Sequence, residues 1–282
     1  MGAEQLVDLH AHTNRSDGLL EPADLVTQAA QAGLAAIAVT DHDTTAGIRM
    51  AQTGADTLPI EVVPGIEISS RAGNREVHLL GLFIDPDAPA LAEMCVRQRA
   101  WRRERAEVLV ERAIELGLDI DMDRVDASAA GAPIGRPHLA QVLVDTGAVL
   151  ATQEAFDRYF GMGKPCYVPK QMLSTADAIV SVHEAGGAAV VGHPGSSRVR
   201  ERLLTELAAA GLDGAEVVHP RHGKHRRELM LGLCEKLGLL PSGGSDYHGP
   251  GRGDSQLGDH GVSLDWCEGL RRRADTHRAA NV

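Results

Sequence analysis

Short runs of Val, Ile, Leu and Ala recur along the chain, at 6–9 (LVDL), 35–39 (AAIAV), 60–66, 77–84 (VHLLGLFI), 188–192 (AAVVG), 214–218 and 238–242. Near-continuous apolar stretches of this length suit strands buried on both faces, so they predict seven strands. Between several of them lie amphipathic stretches with recognisable starts and stops. Glu21-Pro22 opens one over 22–32, Ser174 or Thr175 caps another over 175–185, and two more cover 198–210 and 222–237. Gly33, Gly186, Gly211 and Gly238 follow them, where a helix is commonly ended by a residue in the left-handed region. Strands alternating with helices at this spacing predict an α/β fold with a parallel sheet. No run of strands without helices occurs, so a closed or nearly closed (βα) barrel competes with an open doubly wound sheet.

The alternation stops between about 95 and 170. There an Arg-rich helical stretch, VRQRAWRRERAEVLVERAIELG at 96–117, precedes further short helices and the segment GMGKPCYVP. The division expected is a barrel formed by 1–95 and 170–282, with 96–169 as an all-helical insert in a βα loop. Inserts at the C-terminal side of barrel strands can cover an active site. Most of the arginines read as a solvated helix face paired with Glu at i, i+3 and i, i+4 spacing. The terminal RRRADTHRAANV reads as a frayed tail.

Composition changes this picture in two ways. The 282 residues carry a formal net charge of −11, which repels a nucleic-acid backbone unless local basic groups or bound cations reverse it. Thirteen His beside 39 acidic residues raise the question of metal. The four cysteines, Cys95, Cys166, Cys234 and Cys267, lie far apart without a C-x-x-C pair, so neither a zinc knuckle nor a disulfide framework is expected. The start MGAEQLVDLHAHT has no signal-peptide pattern and no long apolar segment follows, so we expect a cytoplasmic chain without a membrane span.

The chemistry sits at the strand ends. His10-Ala11-His12 closes the first strand, and period two along a strand puts both imidazoles on one side. Asp17 follows in an SDG turn. The second strand runs into Asp41-His42-Asp43 and the third ends at Glu67; the fourth carries His78, the fifth ends at His193, and the seventh runs into Asp246-Tyr247-His248. Any one of these is more often a core or turn residue than a ligand. Six His and three carboxylates on six strands match the way barrel sites gather residues from several strand ends. Imidazole and carboxylate without thiolate suit Mn²⁺ first, then Fe²⁺ or Zn²⁺, and nine ligands are enough for two or three ions. Glu67 can bridge ions about 3.5–4 Å apart, the separation that clamps both oxygens of an in-line phosphoryl displacement. Phosphoester hydrolysis is therefore the leading chemistry.

DLHAHTNRSDG, AVTDHDT, PGIEIS, EVHLLGLFID, VVGHPG and GSDYHG resemble the successive motifs of the PHP (polymerase and histidinol phosphatase) family. IGRPHLAQVLVDTGAV and AFDRYFGMGKPCYVP are similar to the subfamily of nucleoside 3′,5′-bisphosphate and AMP phosphatases and the related 5′-to-3′ exoribonuclease. The resemblance implies a distorted (βα)7 barrel with a trinuclear site. His10, His12, Glu67 and Asp246 would hold one ion, Glu67, His78 and His193 a second, and Asp17, His42 and His248 a third. It also implies that Arg136 and His138 face the substrate phosphate. The subfamily pattern HPGRY is here His193-Pro194-Gly195-Ser196-Ser197. Arg198, two positions after the missing Arg, is either its replacement or only the start of the next helix.

On this reading a metal-activated hydroxide attacks phosphorus, Arg136 absorbs charge, and a His or water, with His219 a candidate, protonates the departing ribose oxygen. Asp41 is expected to orient an imidazole rather than bind metal. The substrate expected is a small phosphorylated molecule, a nucleotide. Exonuclease action on short RNA or DNA uses the same site, and would need Arg99, Arg102, Arg103 and Arg136 to form a basic track. An amidohydrolase built on a carboxylated lysine is disfavoured, since Lys164, Lys170, Lys224 and Lys236 lie away from the strand ends. A metal-dependent binding module without turnover is the reading from another class.

Overall fold

The structure, a computed structural model, describes residues 5–194, 197–252 and 255–281, and of 197–200 only the backbone. The strands are β1 (Leu6–Ala11), β2 (Ala36–Val39), β3 (Glu61–Ala72), β4 (Arg75–Leu82), β5 (Leu173–Ser174), β6 (Ala188–Val191), β7 (Gly214–Val218), β8 (Leu240–Gly243) and β9 (Val262–Ser263). The helices are α1 (Pro22–Gln31), α2 (Ile48–Ala55), α3 (Pro89–Glu115), α4 (Met122–Ala129), α5 (Arg136–Asp145), α6 (Thr152–Ala155), α7 (Thr175–Glu184), α8 (Ser197–Ala209), α9 (Lys224–Leu237) and α10 (Leu264–Ala280). Two compact units result: Met1–Met94 with Leu173–Val282, and Cys95–Met172.

In the first unit the strands form one sheet in the order β8-β7-β6-β4-β3-β2-β1-β9, with β5 on β3. The expected parallel sheet needs a correction. β4 is antiparallel to both β3 and β6, because Gly73, at φ 57°, turns β3 directly into β4 with no helix between. β9 is also antiparallel, to β1. The remaining six long strands share one direction, so their C-terminal ends form one rim. After β8 the chain runs beside β1: Asp246 N–H donates to His10 O and His12 N–H to Tyr247 O, both at 2.9 Å. The sheet is a nearly closed barrel.

Helix boundaries follow local chemistry. Pro22 starts α1 where a missing N–H costs nothing, and the Ser174 hydroxyl accepts from Asp177 N–H to cap α7. Gly238, at φ 68°, ends α9 in the left-handed region. The frayed tail expected over 271–282 is instead largely the second half of α10, which runs to Ala280; its Ala274 is fully buried, with Cys267 and Leu270 of the same helix, among Val7, Leu9, Ala36, Leu80, Leu82 and Val190. Its polar residues hid this, since only every third or fourth position is apolar.

Asp213 anchors α10 from below β7. Its carboxylate accepts from Ala189 N–H (2.9 Å) and Arg273 Nη1 (2.9 Å), and meets His183 Nε2 (2.8 Å) and His277 Nε2 (3.1 Å), whose rings stack at 3.8 Å.

The helical unit packs Leu109, Val110, Ile120, Leu139, Leu143 and Phe160 into its own core. Its arginines differ from the expected row of Glu pairs. Arg103 does pair with Glu107, yet Arg99 donates to Gly131 O, Arg102 to Ile134 O, Arg105 to Val168 O and Arg112 to Tyr167 O. These guanidinium groups donate to carbonyls of the segments between helices.

Two outcomes are expected. Leu270→Ala should lower stability in urea unfolding by about 2–5 kcal/mol, the range for emptying a buried leucine site; a loss near zero would return α10 to a tail. Burial pushes the Asp213 carboxyl up, but the hydrogen bonds from His183, Ala189, His277 and Arg273 hold it down at about 2. A depressed carboxyl stabilises the fold above its unfolded value of 3.8 and that contribution is lost as pH falls towards 2. Asp213→Asn should therefore be less stable than the parent at pH 6, with the gap narrowing below pH 4.

Candidate metal centre

The rim of the barrel unit collects the titratable side chains. In β1, Val7 and Leu9 face the core with Ala36, Ala38 and Val63. His10 and His12 have the opposite parity, and a register shift between Asp8 and Ala11 on β2 lets them continue on the same inner side. A bulge of this kind re-aims side chains next to a site. The reversal of β4 matters as much. His78 lies near the start of its strand, opposite Ser69 of β3, so it joins the rim only because β4 runs backwards.

Glu67, 1% exposed, is the centre of the arrangement. Its Oε2 lies 3.3 Å from His10 Nε2, 3.1 Å from His12 Nε2 and 3.1 Å from His42 Nδ1. Its Oε1 lies 2.7 Å from His78 Nδ1 and 3.3 Å from His193 Nε2. Asp246 Oδ1 is 3.4 Å from His10 Nε2 and 3.2 Å from His12 Nε2, and Asp17 Oδ1 is 3.4 Å from His248 Nε2. The rings crowd as well, with His12 and His248 stacked at 4.1 Å.

Among the described residues four groups of ligand atoms contain these side chains, each within 4.8 Å: His10, His12, Glu67 and Asp246; His42, Glu67 and His78; His12, Asp17, His42 and His248; and His10, Glu216 and His219. His193 joins through Nε2, which faces Glu67 Oε1, and its ring lies edge-on to that of His78 at 4.9 Å. Several buried atoms here have no hydrogen-bond partner: His10 Nε2, both His12 ring nitrogens, His42 Nδ1, Glu67 Oε2 and Asp17 Oδ1. Close, buried, and unsatisfied nitrogen and oxygen donors are what a divalent cation with mixed imidazole and carboxylate ligands requires. The residues present fit such ions.

The electrostatics agree. Burial pushes the Glu67 carboxyl up, but His42, His78 and His10 hold it well below the carboxylate range. Asp17, facing His42 and His248, and Asp246, facing His10 and His12, are also held low against burial. Among the imidazoles, burial drags His42 down to about 3, while His12 rises to about 10 because Asp246 and Glu67 outweigh its burial. The carboxylates stay ionised and demand positive charge that the histidines supply unevenly.

Strain gathers here too. His193, Asp246 and Asp43 have φ of 25°, 51° and 53°, a region disfavoured for side chains other than glycine's. Gly244 admits the close approach of β8 to β1, since a Cβ there would lie 2.5 Å from His10 N.

Some expected residues take other partners. Asp41 does not meet an imidazole: it accepts from Thr13 N–H (2.8 Å), Thr13 Oγ1 (2.7 Å) and Ser16 Oγ (2.6 Å), holding the loop that carries Asp17. The Ser and Thr hydroxyls of that loop are nearer than any ring, so they won. His219 Nε2 lies 3.3 Å from Asp246 Oδ2, and its Nδ1 accepts from Arg221 N–H at 3.1 Å. In the helical unit, Arg136 donates to Phe160 O and stacks over Phe156, and His138 Nδ1 accepts from Gly135 N–H at the start of α5. The Arg198 side chain lies outside the described residues.

Reading the sequence missed Glu216 and Asp8. Glu216 Oε1 meets His10 Nδ1 at 2.9 Å and its Oε2 accepts from His193 N–H at 2.6 Å, tying two candidate ligands together. Asp8 accepts from His10 N–H and Ser245 N–H and joins β1 to the segment after β8. Both look like ordinary strand positions in AEVV and LVDL. A buried carboxylate in an apolar run was the available signal.

Glu216→Gln should reduce metal affinity by about 10- to 100-fold, as loss of a partner behind a ligand imidazole does, with an unchanged circular dichroism spectrum. Metal content after dialysis against a range of free Mn²⁺ measures this. Equal loading of variant and parent would make Glu216 a packing residue only.

Comparisons with known proteins agree with the site. Residues 8–113 match the PHP domain. The chain is 34% identical over 251 residues to the 5′-3′ exoribonuclease Rnm of Escherichia coli (strain K12), covering 87% of this chain and 86% of that protein. It is 36% identical over 264 residues to the 3′,5′-nucleoside bisphosphate phosphatase of Chromobacterium violaceum, covering 89% and 90%. A solved structure described as a metal-dependent phosphoesterase from Bifidobacterium adolescentis superposes with a TM-score of 0.88 at 33% identity over 96% of each chain. With that likeness over nearly the whole length, and a rim of imidazoles around a buried carboxylate, the chain belongs to the PHP family and is a metal-dependent phosphoesterase.

Proposed function

We propose that the protein hydrolyses a phosphomonoester of a small nucleotide, such as a nucleoside 3′,5′-bisphosphate or AMP, at a centre of two or three divalent ions. The observation that carries this is Glu67, one buried carboxylate touched by five imidazoles whose facing atoms are largely without hydrogen bonds. His10, His12, Glu67 and Asp246 would hold one ion, Glu67, His78 and His193 a second, and Asp17, His42 and His248 a third. The donor set favours Mn²⁺, with Fe²⁺ and Zn²⁺ as competitors. Such ions lower the pKa of a water towards 7 and take up charge on the phosphoryl oxygens.

The chain's own residues set the geometry. Glu216 fixes the His10 ring through Nδ1 and so directs Nε2 at the centre. Asp41 holds the Asp17 loop through Thr13 and Ser16. Because His219 Nδ1 accepts a backbone N–H, the ring proton sits on Nε2, beside Asp246 Oδ2. From there it is placed to donate a hydrogen bond to a departing oxygen, with water supplying the proton. No helix among the described residues is long and apolar enough to cross a membrane.

A small substrate is favoured over a long nucleic-acid strand by the arginines of the helical unit. Arg103 pairs with Glu107 and Asp126, and Arg99, Arg102, Arg105 and Arg112 are each fixed to a backbone carbonyl of their own unit, so holding that unit together accounts for them without a nucleic-acid track. Phosphate release from a panel of nucleotides, an aryl phosphate and 5′-phosphorylated oligonucleotides tests the reading. Chelation should abolish turnover and added Mn²⁺ restore it, and His10→Ala should cost at least about 100-fold in kcat. Full activity in the chelated protein, or a twofold effect of His10→Ala, would overturn it.

A further inference from the structure

The centre accounts for one phosphoryl group and leaves the rest of the substrate unassigned. A cavity of about 470 Å³, within the size range of small-molecule sites, opens beside it. Its lining includes His219, Asp246 and His248 together with Arg221, Arg252 and His260. A second, smaller cavity of about 210 Å³ lies against His78 and His193, and Arg221 borders that one as well.

Arg221 is held by its backbone and free at its tip. Its N–H donates to His219 Nδ1 at 3.1 Å and its carbonyl accepts from Arg226 Nη1 at 2.9 Å. Among the described residues its guanidinium has no hydrogen bond or ion pair, although the chain carries a net charge of −11. The other cations nearby are occupied or oriented. Arg252 Nη1 donates to Asp17 O at 2.7 Å, which pins it at the rim with donors to spare. Arg227 donates to His222 O and to His260 Nδ1, which leaves the His260 proton on Nε2 as one more donor. Glu76, the one carboxylate lining the smaller cavity, lies 3.5 Å from His78 Nε2.

We propose that Arg221 and Arg252 form a subsite for a second phosphate group of the substrate, one that is bound and not hydrolysed. The proposal rests on the phosphoesterase reading and deepens it. A guanidinium recognises phosphate through paired N–H donors, and its fixed charge offsets the like-charge penalty of bringing a polyanion to a carboxylate-rich rim. The loop after β7 supplies Arg221 and the segment after β8 supplies Arg252. The second phosphate is either the other monoester of a bisphosphate or the next diester of a short oligonucleotide; the chemistry is shared.

Arg221→Gln and Arg252→Gln, assayed with Mn²⁺ on 4-nitrophenyl phosphate, AMP, adenosine 3′,5′-bisphosphate and a 5′-phosphorylated dinucleotide, test this. In each variant the ratio of kcat/KM for the two-phosphate substrates to that for the aryl phosphate should fall by about 10- to 100-fold, mainly through KM. A fall confined to the bisphosphate identifies a monoester in the subsite, and one confined to the dinucleotide identifies a diester. A constant ratio overturns the proposal. Calorimetric binding of adenosine 3′,5′-bisphosphate and AMP separates the two ideas. If no phosphomonoester is hydrolysed, the phosphatase reading fails, and retention by Arg221→Gln of the parent's preference for two phosphates still overturns the subsite.

Discussion

The structure depends on one electrostatic constraint: the carboxylate of Glu67 is buried at the barrel rim and must be balanced where no water reaches it. An isolated buried carboxylate is among the least favourable groups a protein can hold. Five imidazoles surround this one, but neutral rings present lone pairs as often as protons, and charging all of them buries excess positive charge. Divalent cations held among Glu67, Asp246, Asp17 and the rings would satisfy both kinds of donor at once. Much of the surrounding backbone serves that end. Asp8, Asp41 and Glu216 are also buried carboxylates, yet each faces N–H or O–H groups and holds the loops and rings in place.

Topology supplies what electrostatics requires. A purely parallel barrel would bring residues from strand ends only. Reversing β4 brings in a residue from a strand start, and it adds His78 on the side of Glu67 away from His10 and His12. The closure between β8 and β1 places Asp246 against His10. The left-handed backbone at Asp246 and His193 is the local cost of turning these side chains inward.

The sequence made some of this legible and concealed the rest for physical reasons. The seven long strands and the Gly stops of the helices were readable because buried strands are continuously apolar and glycine tolerates positive φ. The gathering of histidines and acids was readable from their recurrence at strand ends. The direction of β4 was not, since an apolar run looks the same in either orientation. The second half of α10 reads as a tail because one buried position, Ala274, in a charged segment gives a weak signal. The partners of Asp41 were misassigned because adjacency in sequence to His42 says nothing about which hydroxyls fold over it. Glu216 and Arg221 were passed over because one sits in an apolar strand and the other in a loop, and only folding shows what they face.

The register shifts in β1 and β7 have one further implication. Side-chain facing in a strand changes sign with each residue, so the irregularity before His10 acts as a phase switch between an apolar lower barrel and a polar mouth. With Val7 inward, unbroken alternation through this stretch would bring Ala11 to the inner surface and turn His10 and His12 to the outside. Which side chains reach the mouth is thus governed by backbone phase as much as by residue identity.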